Sequence, residues 1–97
     1  MSSGQDTVEL HVLVHGRVQG VFFRQSTKEQ ADRLGVSGWV RNLPDGGTVK
    51  VLGQGPRDRL EQFLEYLSHG PPGADVRHIE PEWRQLGEAL QEFRVVP

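Results

Sequence analysis

The sequence predicts an α+β sandwich in which two helices pack on one face of a mostly antiparallel sheet. Hydrophobic residues alternate in several short segments, two longer segments carry apolar residues at helical spacing, and glycine or proline separates these segments. The 97 residues suffice for one domain with its own core. We therefore expect a flexible polar tail over residues 1–6 and a single domain over residues 7–97.

The first part of the chain predicts a strand, a loop and a helix. Thr7 to Val14 alternates between apolar and mostly polar residues, which indicates a strand with one buried face. Gly16 to Gly20 predicts a loop bounded by glycines. A helix follows from about Phe22 and ends at Gly35. Its apolar stripe consists of Phe23, Thr27, Ala31 and Leu34.

A hairpin follows the first helix. Val36 to Arg41 predicts the second strand, Leu43 to Gly47 a turn, and Thr48 to Leu52 the third strand. An Asp-Gly pair between two alternating segments is a strong signal for a β-hairpin.

The last part of the chain predicts a second helix and two more strands. Pro56 suits the first position of a helix, whose apolar positions are Leu60, Phe63, Leu64 and Leu67. Val76 to Ile79 predicts a fourth strand, and Glu92 to Val96 a closing strand. Trp83 to Gln91 predicts a loop or one irregular turn. The resulting order β-α-β-β-α-β, with a short terminal strand, is that of the ferredoxin-like, split βαβ fold.

Composition excludes several classes of protein. The chain has no cysteine, which excludes disulfides, thiolate metal sites and a cysteine nucleophile. The net charge of −2 argues against binding nucleic acid through bulk charge. No segment approaches the roughly 20 apolar residues of a membrane span, and residues 1–6 lack the layout of a signal peptide. We expect a cytoplasmic protein without a membrane or nucleic-acid partner.

Arg24 is the most informative residue, because it places a cation in the first turn of a helix. The helix dipole makes this end partly positive and disfavours a cation there. An anion bound by Arg24 and by the backbone N–H groups of the preceding glycine loop would reverse that effect. Arg suits such a site because its planar fork contacts two phosphate oxygens at once. A solvent-exposed Arg near a helix start is the alternative.

Asn42 is the second candidate residue. It ends the predicted second strand on the same face as Gly38 and Val40. A neutral amide both accepts and donates hydrogen bonds, so it can orient a water molecule. The alternative is a turn-forming role, which is common for Asn beside Pro and Asp-Gly.

Histidines and a further Arg complete the candidates. His11 and His15 lie on a strand, where four residues span about 13 Å, too far to share a metal. His15 borders the loop and is either a plain loop residue or one that tunes access to it. Arg41 is either a solvated strand residue or a source of positive potential near the site.

Two segments resemble the signature motifs of the acylphosphatase family. They are His15–Arg24, with the sequence HGRVQGVFFR, and Gly38–Gly46, with the sequence GWVRNLPDG. Their order and spacing match the family, and the resemblance extends from about Thr7 to Val96. The hairpin at Asp45 to Val49 departs from it, since it is one residue longer than the usual turn.

The resemblance implies a small enzyme that hydrolyses the carboxyl–phosphate bond of acyl phosphates, releasing a carboxylate and inorganic phosphate. It implies that Arg24 binds the phosphate with the help of loop amides, and that Asn42 holds the attacking water. The implied phosphate-binding loop comprises Gly16, Arg17, Val18, Gln19, Gly20 and Val21. No cofactor, metal or phosphoenzyme is implied, and we expect a monomer.

Two other functions stay open at this stage. A nucleic-acid-binding module of the same fold stacks bases on aromatic residues of a central strand, but Thr48 to Leu52 contains none. A domain that binds a phosphorylated metabolite without hydrolysing it needs Arg24 but not Asn42.

Overall fold

Five strands and two helices follow one another in the predicted order. The structure is a computed structural model and describes residues 6–97. All of the predicted tail except Asp6 therefore lies outside the described residues. The elements are β1 (Thr7–Arg17), α1 (Phe23–Leu34), β2 (Ser37–Asn42), β3 (Thr48–Pro56), α2 (Arg57–Leu67), β4 (Asp75–Gln85) and β5 (Phe93–Val95).

The strands form one mixed sheet in the order β4-β1-β3-β2-β5. Every neighbouring pair is antiparallel except β2 and β5, which are parallel. Both helices pack on this sheet and against each other. The arrangement confirms the predicted ferredoxin-like α+β fold. Neither helix of the described residues is long and apolar enough to cross a membrane.

The helix α1 buries the stripe that its sequence predicts. All four stripe residues are buried, and they are Phe23, Thr27, Ala31 and Leu34. Gly35 ends the helix in a left-handed conformation with φ 73°, a region that glycine enters without a steric penalty. The N–H group of the next residue, Val36, donates to the carbonyl of Ala31 at 2.8 Å. Because α1 is fixed on the sheet in this way, its N-terminus has a defined position beside β2.

Two predicted boundaries are wrong because strand pairing continues beyond the alternating residues. The strand β3 runs to Pro56 and not to Leu52, since Thr7 pairs with Pro56 at the far end of the ladder. Pro56 consequently adopts an extended conformation before α2 instead of forming its first turn. The helix α2 buries Leu60, Phe63 and Leu67 as expected.

The strand β4 is much longer than predicted. It extends from Asp75 to Gln85 and pairs with β1 along its length, so Trp83 belongs to a strand and not to a loop. The sequence conceals this because β4 is an edge strand with mostly exposed side chains, and an edge also tolerates Pro81. Only the remainder of the Trp83–Gln91 segment, from Leu86 onwards, is irregular.

A buried polar cluster fastens that irregular segment to the sheet. Gln54 Nε2 donates to Glu9 Oε1 and to the carbonyl of Glu88, both at 2.8 Å. The N–H group of Leu90 donates to Gln54 Oε1 at 2.8 Å, and that of Gly87 donates to Glu9 Oε1 at 3.2 Å. The side chains of Glu9 and Gln54 are both buried, although the sequence places Glu9 on the polar face of β1. The cluster thereby determines where the chain enters β5.

Glu9 is ionised more readily in the folded protein than in the unfolded chain. Burial acts to raise the pKa of Glu9, but hydrogen bonds from His11, Gln54 and the Gly87 N–H group lower it by more. Its pKa therefore lies below the ordinary value of 4.5. A lowered folded pKa stabilises the protein above the ordinary pKa, and that stabilisation is lost as the pH falls through the folded pKa.

We predict that Glu9→Gln makes the protein less sensitive to acid. Because the neutral amide does not titrate, the difference in the free energy of unfolding between wild type and variant should shrink from about pH 7 to about pH 3. Urea unfolding at a series of pH values measures this difference in the free energy of unfolding. Glu29→Gln, at an exposed position of α1, is the control. A difference that stays constant over this pH range contradicts the role assigned to Glu9.

Candidate active site

The loop between β1 and α1 begins later than predicted. Gly16 and Arg17, which the sequence places in the loop, continue β1 and pair with Val76 and Asp75 of β4 across a β-bulge. The Gly16 N–H group donates to the carbonyl of Gly47 at 3.1 Å. That donor is therefore engaged within the protein, and the irregular loop consists of residues 18–22.

This loop and the start of α1 expose a run of backbone donors. Within residues 6–97, the N–H groups of Gly20, Val21 and Phe22 donate no hydrogen bond. The first intrahelical bond runs from the Ser26 N–H group to the carbonyl of Phe22 at 3.1 Å, which leaves the N–H groups of the first helical turn without helical acceptors. No side chain of residues 6–97 caps this helix end, and its first turn contains no acid. A helix terminus with unused N–H groups can bind an anion.

Phe22 adopts a strained conformation in the middle of that run. Its φ of 66° and ψ of 19° lie in the left-handed region, and it is the only non-glycine residue of the described chain with a positive φ. Such a conformation costs about 1–3 kcal/mol and occurs often at ligand-binding sites. Gly20, with φ 74°, turns the chain in the same sense two residues earlier. Turns of this kind direct successive N–H groups towards one concave surface.

Arg24 lies in the first turn of α1, beside those donors. It is half-buried and forms no ion pair with a carboxylate of residues 6–97. Lys28, one turn later, instead pairs with Asp32 at 2.8 Å. The guanidinium of Arg24 therefore adds uncompensated positive charge to the helix terminus.

Asn42 is the last residue of β2, and its side chain does not form the turn. The acceptor oxygen Oδ1 is buried and receives no hydrogen bond from the described residues. Asp45 stabilises the turn instead, since its carboxylate accepts from the Gly47 N–H group at 2.9 Å and from the Thr48 hydroxyl at 2.6 Å. These hydrogen bonds, led by that from Thr48, lower the pKa of Asp45. Oδ1 of Asn42 is thus an acceptor to which no described residue donates a hydrogen bond.

Gln19 joins the loop to the hairpin. Its Nε2 atom donates to the carbonyl of Leu43 at 2.9 Å and to the carbonyl of Thr48 at 2.8 Å. These carbonyls lie on either side of the turn that follows Asn42. The sequence identifies Gln19 only as a member of the phosphate loop, whereas its side chain is directed to the hairpin. No sequence spacing indicates this contact, because it joins two separate segments.

Arg24 and Asn42 border the same cleft. The cleft has a volume of about 220 Å³. Its lining comprises Val18, Gly20, Phe22, Phe23, Arg24, Gln25, Asn42 and Val95. The sequence did not identify Val95, which β5 places here by pairing in parallel with β2. The structure thus brings together the two residues that the sequence singled out.

The remaining candidate residues lie outside this cleft. Arg41 is exposed and lies near Trp39, with its guanidinium carbon 5.7 Å from the ring centroid. His15 belongs to β1 and not to the loop, and its Nε2 atom lies 2.6 Å from Glu80. His11 lies 2.6 Å from Glu9. Within residues 6–97, no three His, Asp or Glu side chains are grouped to hold a metal ion.

A larger cleft of about 430 Å³ lies along β1 and β4. Charged side chains border it, including Glu82 and Arg84. Two nitrogen atoms of the Arg84 guanidinium, Nε and Nη2, each donate a hydrogen bond of 3.0 Å to the Glu82 carboxylate. These hydrogen bonds lower the pKa of Glu82. The charges of Glu82 and Arg84 compensate each other, but Lys50, which also borders this cleft, forms no ion pair within residues 6–97. All of the lining residues belong to strands, so no helix N-terminus of the described residues adds unused N–H groups there. We therefore assign the candidate site to the smaller cleft.

Comparisons with known proteins identify the family of the chain. The sequence profile of the family described as Acylphosphatase matches residues 10–95. The chain is 48% identical over 92 residues to an acylphosphatase of Pyrobaculum islandicum, covering 95% of this chain and 97% of that protein.

Solved structures give the same result. The acylphosphatase of Bacillus subtilis superposes with a TM-score of 0.89 at 34% identity, covering 93% of this chain and 99% of that one. The acylphosphatase of Coxiella burnetii superposes with a TM-score of 0.88 at 38% identity, covering 99% of this chain and 100% of that one.

We predict that Gln19→Ala destabilises the protein by about 1–3 kcal/mol, because it removes two hydrogen bonds and leaves two carbonyls without this donor. Gln19→Glu should destabilise it more, since a carboxylate then faces both carbonyls. Chemical denaturation measures both effects. Gln62→Ala, at an exposed position of α2, should change the free energy of unfolding by less than about 0.5 kcal/mol. Equal effects of Gln19→Ala and Gln62→Ala would show that Gln19 does not anchor the loop.

Proposed function

Because the chain belongs to the acylphosphatase family, and is therefore a hydrolase that acts on acyl phosphates, we propose that the cleft between Arg24 and Asn42 is its active site. One observation carries this proposal. One cleft is bordered by a guanidinium, a helix N-terminus and an amide oxygen that have no partner among residues 6–97.

In this proposal Arg24 and the loop hold the phosphate. The guanidinium binds two phosphate oxygens, and the N–H groups from Gly20 onwards bind a third. The family resemblance implies a binding loop from Gly16 to Val21. This proposal leaves Gly16 out of that loop, because its N–H group donates to the carbonyl of Gly47. These donors stabilise negative charge on the phosphoryl group as the reaction proceeds.

Asn42 orients the water that attacks phosphorus. Because Oδ1 is buried, the amide must rotate before Oδ1 accepts a hydrogen bond from this water, and Nδ2 remains available as a donor to a phosphoryl oxygen. The water oxygen attacks in line with the acyl oxygen, so a new phosphorus–oxygen bond forms as the acyl–phosphate bond breaks. The carboxylate leaves with the bonding electrons. One proton of the water stays on the oxygen now bound to phosphorus, and the other passes to a second oxygen of the phosphate product.

A strong general base is unnecessary for this reaction. The carboxylate is a good leaving group, so positioning of the water and stabilisation of charge supply most of the rate. No step in this proposal uses a metal ion, a cofactor or a covalent phosphoenzyme.

Several expectations from the sequence stay predictions. They are a single domain over residues 7–97, a cytoplasmic location, a monomeric state and the lack of a nucleic-acid partner. The sequence also left open a phosphate-binding domain without hydrolytic activity, but the chain belongs to a family of hydrolases. The unpartnered amide of Asn42 favours the enzyme, since phosphate binding alone does not require it.

We predict that the wild type hydrolyses benzoyl phosphate in the presence of excess EDTA. Arg24→Ala should abolish measurable turnover, and Arg24→Lys should restore little of it because Lys lacks the planar fork. Asn42→Ala should lower kcat by about 10²–10³-fold, while inhibition by inorganic phosphate changes much less. Steady-state kinetics with phosphate as a competitive inhibitor measure these effects.

Arg33→Ala is the matched control, since Arg33 lies in the last turn of the same helix. Its kcat and KM should match those of the wild type. An unchanged kcat for Asn42→Ala contradicts the proposed role of that residue. Phosphate binding without turnover in the wild type contradicts the proposed active site.

A further inference from the structure

Exposed apolar side chains are concentrated at the candidate active site. Within residues 6–97, three large apolar side chains are exposed, namely Phe22, Val95 and Leu86. Two of them, Phe22 and Val95, border the cleft that contains Arg24 and Asn42. Phe22 is the more exposed, at 65% of its surface. Water-exposed aromatic surface beside a polar site is a feature of ligand-binding clefts.

The conformation of Phe22 supports a role in binding. Its backbone is held in the left-handed region, where Gly or Asn is accommodated with less strain. Packing in the core does not account for a phenyl ring here, because most of the ring is exposed. A bulky residue kept in a strained and exposed position is consistent with a functional constraint.

The charges around the cleft indicate whether the acyl group of the substrate carries a charged substituent. Among the described residues, Arg24 is the only charged residue of the lining, and the proposed phosphate site uses it. Lys28, one turn along α1, is paired with Asp32. A substrate with a second phosphate or a carboxylate on its acyl group therefore meets no second free cation in the lining. An apolar acyl group meets Phe22 and Val95.

We propose that Phe22 and Val95 form the acyl subsite and that the enzyme prefers acyl phosphates with an apolar, above all aromatic, acyl group. This inference rests on the proposed function, since the phosphate must be bound by Arg24 and the loop. An aromatic acyl group gains from contact with the ring of Phe22, whereas an acetyl group is too small to cover it. Phe22 is thus a residue that determines specificity and takes no part in the bond-breaking step.

The experiment compares kcat/KM for benzoyl phosphate and acetyl phosphate. Phe22→Asn removes the ring but retains a residue that tolerates the left-handed region. The benzoyl-to-acetyl ratio of kcat/KM should fall by about 3–10-fold relative to wild type, mainly through a higher KM for benzoyl phosphate. Comparing this ratio between proteins cancels the different intrinsic reactivities of the two substrates. Val95→Thr, which keeps the shape of the side chain, should lower the ratio by a smaller factor.

Two controls separate acyl recognition from damage to the loop. Leu86→Asn changes the third exposed side chain, which lies outside the cleft, and should leave the ratio unchanged. Inhibition by inorganic phosphate, which has no acyl group, should change by less than about twofold in Phe22→Asn. Phe22→Asn should also unfold at a higher denaturant concentration, because the strain is reduced.

The possible outcomes distinguish this inference from the proposed function. If the wild type hydrolyses both substrates and Phe22→Asn leaves the ratio unchanged, the acyl subsite is wrong and the proposed function stands. If phosphate inhibition weakens as much as benzoyl phosphate binding, Phe22 acts on the loop and the subsite is again wrong. If the wild type hydrolyses neither substrate, the proposed function fails and this inference fails with it.

Discussion

The two hydrogen bonds that Gln19 donates across the end of the sheet are the contact on which the candidate site depends. Arg24 and Asn42 belong to different segments, and the fold only brings the β1–α1 loop and the β2–β3 turn to the same end of the sheet. The amide of Gln19 then joins loop and turn at the carbonyls of Leu43 and Thr48. The Gly16–Gly47 backbone hydrogen bond adds a second connection. These contacts hold Arg24 and Asn42 in position relative to each other and take no part in the reaction itself.

The site contains several features that lower stability in the absence of a ligand. Among the residues that the structure describes, α1 begins without a capping side chain or an acid, and Asn42 Oδ1 is buried without a partner. Phe22 is strained. Each of these features is unfavourable by itself. An anion with an attached water interacts favourably with all three regions. The rest of the fold, with its apolar core and the Glu9–Gln54 cluster, supplies the stability that such a site requires.

The sequence predicted those parts of the protein that depend on local pattern. The helical stripe of α1, the hairpin and the anomalous charge of Arg24 all come from residues close together in the chain. The sequence did not predict features that tertiary contacts determine. One is the length of β4, because this exposed edge strand lacks the alternation of apolar residues that marks a half-buried strand. The burial of Glu9, the direction of the Gln19 side chain and the arrival of Val95 at the cleft likewise depend on distant partners.

The central claim is that one phosphate group is bound at the start of α1, with the amide of Asn42 beside it in the same cleft. Titration of the ¹⁵N-labelled protein with inorganic phosphate, followed by NMR, tests it directly. We expect the backbone N–H signals of Gly20 to Arg24 and the side-chain amide signals of Asn42 to shift together with one common Kd. Signals around Glu82 and Arg84, in the larger cleft, should not move. If the Asn42 amide does not respond while the loop does, or if the larger cleft responds instead, the account is contradicted.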